Sequence, residues 1–207
     1  MRRELRAEIA AIEPLDELER EHIADVIDWI DSGVELCRTT KPATPAKHLV
    51  SYFVLVDAEN VLLVDHKNAQ LWLPTGGHVE PGEHPRSTVA RELREELGVE
   101  LEHPLEPPLL VTCSTTVGLA AGHTDVSLWY VVNADRRREL HWDKEEFNSV
   151  QWFTFSQTRD VRSDPHLGRF LKKLTRQRFN EVVNYSVTPA QAGGHLIDSD
   201  RVLPTQE

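Results

Sequence analysis

Three features of the sequence predict an α/β fold. The stretch from Leu49 to Phe155 is rich in β-branched and aromatic runs, a helical pattern interrupts those runs after Pro85, and amphipathic patterns stand at both ends. At 207 residues the chain supports one domain with an extension and a sizeable core. Its 28% charged and 40% hydrophobic residues are ordinary for a globular protein. A net charge of −11 argues against a duplex nucleic-acid surface, which needs a basic face, and no stretch approaches a membrane span in length. Cys37 and Cys113 supply neither a disulfide framework nor metal-ligand spacing and suit a reducing interior, although a single 37–113 bridge fits the count. No apolar run follows Arg2-Arg3, so no secretory signal is read and a cytoplasmic location is expected.

In chain order, Leu5, Ile9 and Ile12 recur at helical spacing. Asp16 reads as an N-cap with Glu19 completing a capping box, and the helix it starts carries Ile23, Val26, Ile27 and Ile30 on one stripe before Gly33. The apolar faces of these two helices need a partner, either the core or a second subunit, so a homodimer is one of two arrangements that satisfy them. Residues 38–48 contain Arg38, Lys41, Lys47 and two prolines without apolar periodicity and read as a linker, with cations over substrate phosphates as the alternative. The expected organisation is a helical extension and linker over 1–47, a main domain over 48–180 and a tail over 181–207.

Residues 49–56 and 61–65 read as a hairpin across Asp57–Asn60, and Gly76-Gly77 as a loop that admits close backbone approach. Leu109–Val117 and His123–Val132 read as strands joined by Gly118–Gly122, with residues 133–148 irregular and Ser149–Phe155 a last strand carrying Trp152. His123 and Asp125 fall on one face of their strand, either lining a substrate pocket or forming a surface pair, the reading preferred here. Tyr52, Trp72 and Trp129 are candidates to stack on a base, and each fits a core position equally well. Asp164-Pro165 opens a final helix with Leu167, Phe170, Leu171 and Leu174 on one stripe, and the chain from about 185 lacks periodicity.

The chemistry concentrates in residues 77–99. Pro85 suits a first helical position, Gly98 a left-handed C-terminal cap, and Val89, Ala90, Leu93 and Leu97 a buried stripe. Beside that stripe Glu92, Glu95 and Glu96 share a sector about 100° wide, flanked by Arg91. Like charges at these spacings cost a few tenths of a kcal/mol per pair, so the cluster calls for a cation, and carboxylate oxygens suit Mg²⁺ or Mn²⁺. Neither a P-loop nor a dinucleotide-binding glycine motif is present.

The whole stretch reads G-x5-E-x7-R-E-U-x-E-E-x-G-U, with U apolar, running from Gly77 through Glu83 and Arg91 to Gly98-Val99. A chance match at a given start has a probability below roughly 10⁻⁸ at average residue usage. It resembles the signature of the Nudix hydrolases (MutT-like) with every fixed position filled, and the likeness extends over about residues 48–160. The resemblance implies a Nudix α/β/α sandwich with a mixed β-sheet. It also implies metal-dependent hydrolysis of a diphosphate linkage in a nucleoside di- or triphosphate or another nucleoside diphosphate derivative. Glu92 and Glu96 become the expected metal ligands, Glu95 a further ligand or the base, and Gly77 (or Gly76) the carbonyl ligand. Arg91 orients a glutamate, and Glu83 pairs with Arg91 as a structural residue. The family also recruits an acid from a loop near the last strand, where Glu145 and Glu146 stand, and a charged loop explains these two as well. Subgroup marks for ADP-ribose or diadenosine polyphosphates are missing at Ser114–Val117. Two rivals remain: a non-catalytic nucleotide-binding module signalling through its helices, which usually has a degraded box, and an isoprenoid-diphosphate isomerase, for which Cys113 is the only candidate nucleophile.

Overall fold

The computed structural model describes residues 1–41, 44–116 and 122–187, with side chains to residue 181. Two helices, α1 (Arg2–Ala10) and α2 (Glu17–Asp31), precede strands β1 (Lys47–Asp57), β2 (Asn60–His66), β3 (Leu71–Leu73) and β4 (Thr75–His78). Helix α3 (Pro85–Leu97) follows, then β5 (Leu110–Thr115), β6 (Thr124–Asn133), β7 (Phe147–Thr154) and α4 (Leu167–Val187). The predicted connection through 118–121, Pro42-Ala43 of the linker and the tail beyond 187 lie outside the described residues.

The strands form one mixed sheet in the order β3-β2-β1-β6-β5, with β4 paired to β1 and β7 to β2. β1 and β6 run parallel from Lys47–Thr124 to Val56–Asn133, and every other pairing is antiparallel. β4 lies along Val50–Phe53 of β1, and β2 meets β1 only at Val56 and Asp57. The stretch read as a glycine loop is therefore a strand. Gly76 pairs with Tyr52, and a Cβ at Gly76 would stand 2.5 Å from the Ser51 carbonyl oxygen, so only glycine allows this pairing.

Alternation along β1 divides the core in two, as a strand with both faces covered requires. Leu49, Phe53 and Leu55 face a cluster with Leu5, Ile9, Val26, Ile30, Val89, Leu93 and Leu97, hence α1, α2 and α3. Val54 and Val56 face a second cluster with Trp129, Leu167, Phe170, Leu171 and Leu174, hence α4. The result is the expected α/β/α sandwich. The N-terminal helices pack on the core of their own chain, so their stripes need no second subunit. The capping box forms, with Asp16 accepting from the Glu19 amide at 3.0 Å, while the Glu19 carboxylate accepts from the Leu15 amide at 2.6 Å. Burying that carboxylate completely is compensated by the Lys173 ammonium of α4, which donates to it.

Three further expectations change. Cys37 and Cys113 are free thiols, so the 37–113 bridge does not form. Burial pushes Cys37 up to about 11 and Cys113 up to about 12, which disfavours the thiolate that an isomerase nucleophile needs. His48, grouped with the linker, lies inside β1 and is fully buried.

Candidate active site

Helix α3 carries the acidic sector and is fixed at both ends as the sequence predicts. Pro85 opens it, and Gly98 closes it at φ 66°, where its amide donates to the Arg94 carbonyl and the following Val99 amide to the Leu93 carbonyl. Val89, Leu93 and Leu97 are buried in the sheet's core, which turns Glu92 and Glu96 toward β4. A Cβ at Gly77 would occupy the space of the Glu92 carboxylate, so glycine is what lets the β4 backbone lie against this acid.

Arg91 organises the sector. Its Nη1 donates to Glu92 Oε1 at 2.6 Å and to Glu95 Oε2 at 3.3 Å. Its Nε and Nη2 grip Glu83 at 3.2 and 3.0 Å, and Nη2 also reaches the His78 carbonyl oxygen at 3.3 Å. Glu83 in turn accepts from the Thr88 hydroxyl at 2.8 Å. Hydrogen bonding to Glu83 raises Arg91 above its ordinary range. Burial pushes the Glu83 carboxyl upward, but the bonds from Arg91 and Thr88 outweigh it and leave the group below its usual value. Glu83 is thus a satisfied partner of Arg91.

Glu96 is the opposite case. It is 4% exposed, and its Oε2 has no hydrogen-bond partner. Burial, followed by the charges of Glu146 and Glu92, pushes its carboxyl well above the ordinary range. Burial also raises Glu92, against the pull of Arg91. Glu95 differs from both: its side chain is 59% exposed and leans on Arg91, so the helical sector read as three equal acids divides into two that face β4 and one that faces outward.

The loop after β6 brings the further acid. The Asp143 amide donates to the Glu96 carbonyl at 2.9 Å, which draws this loop across the end of α3. Glu146 is half-buried, with Oε1 3.3 Å from His66 Nε2, and its charge acts on both Glu92 and Glu96. Glu145 is exposed. Glu146 is therefore the acid of the pair that the fold brings to the box.

The remaining predicted residues divide. Tyr52 lies against Trp129 with ring centroids 4.8 Å apart, and burial, then the charges of Asp164, Asp125 and Glu96, raises its phenol. Trp72 packs edge-on against Phe153 at 5.0 Å and stays partly exposed. Trp129 is fully buried and donates to the Thr112 hydroxyl at 2.9 Å, so it is a core residue and takes no base. His123 is 5% exposed and sits with Asp125, His48 and His78, which overturns the surface-pair reading. Sequence reading missed His48 and His78 as members of this group; the only available signal was a histidine at each of three strand ends.

Two comparisons bear on this geometry. The family model described as NUDIX domain matches residues 47–174. The chain belongs to the Nudix family. Among solved structures the fold resembles a MutT Nudix hydrolase from Burkholderia pseudomallei at TM-score 0.51 and 23% identity, covering 61% of this chain and 97% of that one. It also resembles the E. coli dihydroneopterin triphosphate pyrophosphohydrolase at 0.53 and 14%, covering 60% and 92%. A C. elegans Ap4A hydrolase aligns at 0.52 and 15%, covering 64% and 98%. No curated protein matches. With its complete box, this Nudix chain is a hydrolase. No helix among its described residues is long and apolar enough to cross a membrane.

The donor set fits the divalent ion that Nudix hydrolases generally use. Glu92, Glu96 and Glu146 offer only oxygens, one of them a buried orphan, and each raises or is raised by another of the three. A hard cation such as Mg²⁺ or Mn²⁺ removes both penalties.

Proposed function

We propose that this chain hydrolyses a diphosphate linkage in a nucleoside di- or triphosphate or another nucleoside diphosphate derivative, with Mg²⁺ or Mn²⁺ bound at Glu92, Glu96 and the Gly77 carbonyl. The observation that carries this reading is Glu96, a buried carboxylate with an unpaired oxygen set among like charges. A structural role would leave that group satisfied, as Glu83 is. The bound ion supplies charge neutralisation at the phosphate oxygens and acidifies water. Arg91 holds Glu92 Oε1 at 2.6 Å and so fixes the ligand's direction. Glu146 receives the proton of the attacking water at the oxygen not facing His66, since its charge is the neighbouring one that acts most on Glu96 and it also acts on Glu92. This assignment prefers Glu146 to Glu95, which stands in solvent. Tyr52 and Trp72 supply apolar surface for the nucleoside. Fold neighbours named for dihydroneopterin triphosphate and Ap4A support a nucleotide-derived substrate.

The test is a panel of nucleoside di- and triphosphates and diphosphate derivatives assayed for phosphate or pyrophosphate release. Turnover with Mg²⁺ and none with chelator is expected. Saturable nucleotide binding without turnover of any member would instead assign the non-catalytic module.

A further inference from the structure

A second group of ligand-bearing side chains shares no residue with the acidic box. His48 stands near the start of β1, His78 at the end of β4, His123 just before β6 and Asp125 at its start. The parallel register sets His48 opposite Asp125, and the antiparallel one sets Val50 opposite His78, so three strand ends converge. One ligand atom from each of the four residues lies within 4.8 Å of all the others. The His48 ring centroid is 4.9 Å from those of both His78 and His123.

The positions of the protons sharpen this. His48 Nδ1 is 2.7 Å from the Pro45 carbonyl oxygen, which can only accept, so Nδ1 donates there and Nε2 is the nitrogen turned into the group. That Nε2 is buried, without a hydrogen-bond partner, and 3.4 Å from Asp125 Oδ1, itself buried and without one. His123 Nε2 lies 3.3 Å from the same oxygen, while its Nδ1 is 3.1 Å from the Thr116 hydroxyl. Two buried polar atoms without hydrogen-bond partners therefore face each other, and a cation between them would satisfy both. The Asp125 carboxylate favours a cation there over an anion.

The spacing around Asp125 suits a zinc-type cation. A tetrahedral ion with bonds of about 2.0–2.1 Å to imidazole nitrogen and carboxylate oxygen sets its ligand atoms about 3.3–3.4 Å apart. The two separations around Asp125 Oδ1, to His123 Nε2 and His48 Nε2, are 3.3 and 3.4 Å, and all four ligand atoms lie within 4.8 Å of one another. Imidazole donors prefer zinc-type ions over Mg²⁺, which takes oxygen. The proton on His48 Nδ1 is held by a backbone carbonyl, the outer bond that commonly orients a metal-binding histidine. Arg38 Nη1 lies 3.2 Å from His78 Nε2, so an ion binding that nitrogen displaces a half-buried side chain on the segment before β1.

We propose that His48, His78, His123 and Asp125 form a closed, structural site for a zinc-type divalent ion, separate from the acidic box, that ties the ends of β1, β4 and β6 together. Four protein ligands leave no open position, which marks a structural rather than a catalytic site. The tie acts on the strand that carries Gly77, since His78 is the next residue and its carbonyl accepts from Arg91. This proposal stands independently of the reaction proposed above.

The experiment strips the full-length chain, free of any histidine tag, with chelator and titrates it with Co²⁺ under visible absorption. One equivalent per chain should give the intense bands of a four-coordinate site, and Zn²⁺ should abolish them. Asp125→Asn and His123→Asn should weaken the affinity at least tenfold, and Glu96→Gln should leave it unchanged. A wild-type titration showing only the weak absorption of six-coordinate Co²⁺ overturns the proposal. So do bands that persist undiminished in both Asp125→Asn and His123→Asn, or bands lost in Glu96→Gln, which would place the ion at the box. Because buried positions tolerate substitution poorly, the wild-type spectrum and its stoichiometry decide the matter even if a variant fails to fold.

Discussion

Replacing Glu96 by Gln tests the box at its most constrained atom. The substitution keeps size and hydrogen-bonding capacity while removing a charge that is 4% exposed and crowded by Glu146 and Glu92. If that charge holds a catalytic ion, kcat should fall by about 10²-fold or more, close to 2.7 kcal/mol of barrier. Stability should move the other way in chelator. The wild-type protein then keeps a buried carboxylate that burial and neighbouring acids oppose, and the variant does not, so its Tm should hold or rise. Adding metal should reverse the order. An ion at about 100 times its Kd stabilises the wild type by about 2.7 kcal/mol, roughly 5–10 °C for a chain of this size, and the variant should forfeit most of that shift. The assay is kcat on the best nucleotide together with Tm with and without Mg²⁺. Wild-type turnover in Glu96→Gln, or a Tm in chelator several degrees below wild type, would refute the reasoning.

Other substitutions separate support from chemistry. Glu83→Gln removes the partner that Arg91 grips at 3.0 and 3.2 Å; it should cost about 1–3 kcal/mol in denaturant unfolding with only a modest loss of kcat. Gly77→Ala pushes its Cβ into the Glu92 carboxylate, the mobile end of a side chain, so turnover should drop sharply while the fold stands. Gly76→Ala instead meets the Ser51 carbonyl at 2.5 Å and should lower Tm, which thermal melts of the two variants will show. Burial raises the Asp164 carboxyl from 3.8 to about 6, against a hydrogen bond from the His166 amide. The native state therefore holds this proton more tightly than the unfolded chain, so the group lowers stability increasingly as pH rises from about 4 to 6 and fully above that. Asp164→Asn keeps the acceptor and should gain up to about 3 kcal/mol at pH 7 and nothing near pH 3, read from urea unfolding at the two values.

What the sequence made legible follows from locality. Helix α3 could be read because its start, stripe and stop lie within one short stretch, from Pro85 to the left-handed Gly98. The hairpin of β1 and β2 and the Asp16–Glu19 capping box are equally local. A helical wheel puts Glu92, Glu95 and Glu96 in one sector, but it does not say which edge of that sector meets the sheet. In the fold Glu96 is buried and Glu95 is left in solvent. Gly76-Gly77 carries no strand propensity, and its pairing with β1 is imposed by the need to lie flat against Tyr52 and Glu92. The histidine group was illegible for the same reason. Its members sit on three strands, and only the parallel pairing of β1 with β6 brings His48 and Asp125 together.

The central claim is that a divalent ion held by Glu92 and Glu96 drives hydrolysis of a diphosphate linkage. The most direct measurement is phosphate or pyrophosphate release from the nucleotide panel with Mg²⁺, after chelation, and after Mg²⁺ is restored. Release from at least one member that vanishes with chelator and returns with Mg²⁺ is the expected result. Full turnover in metal-free buffer would contradict it.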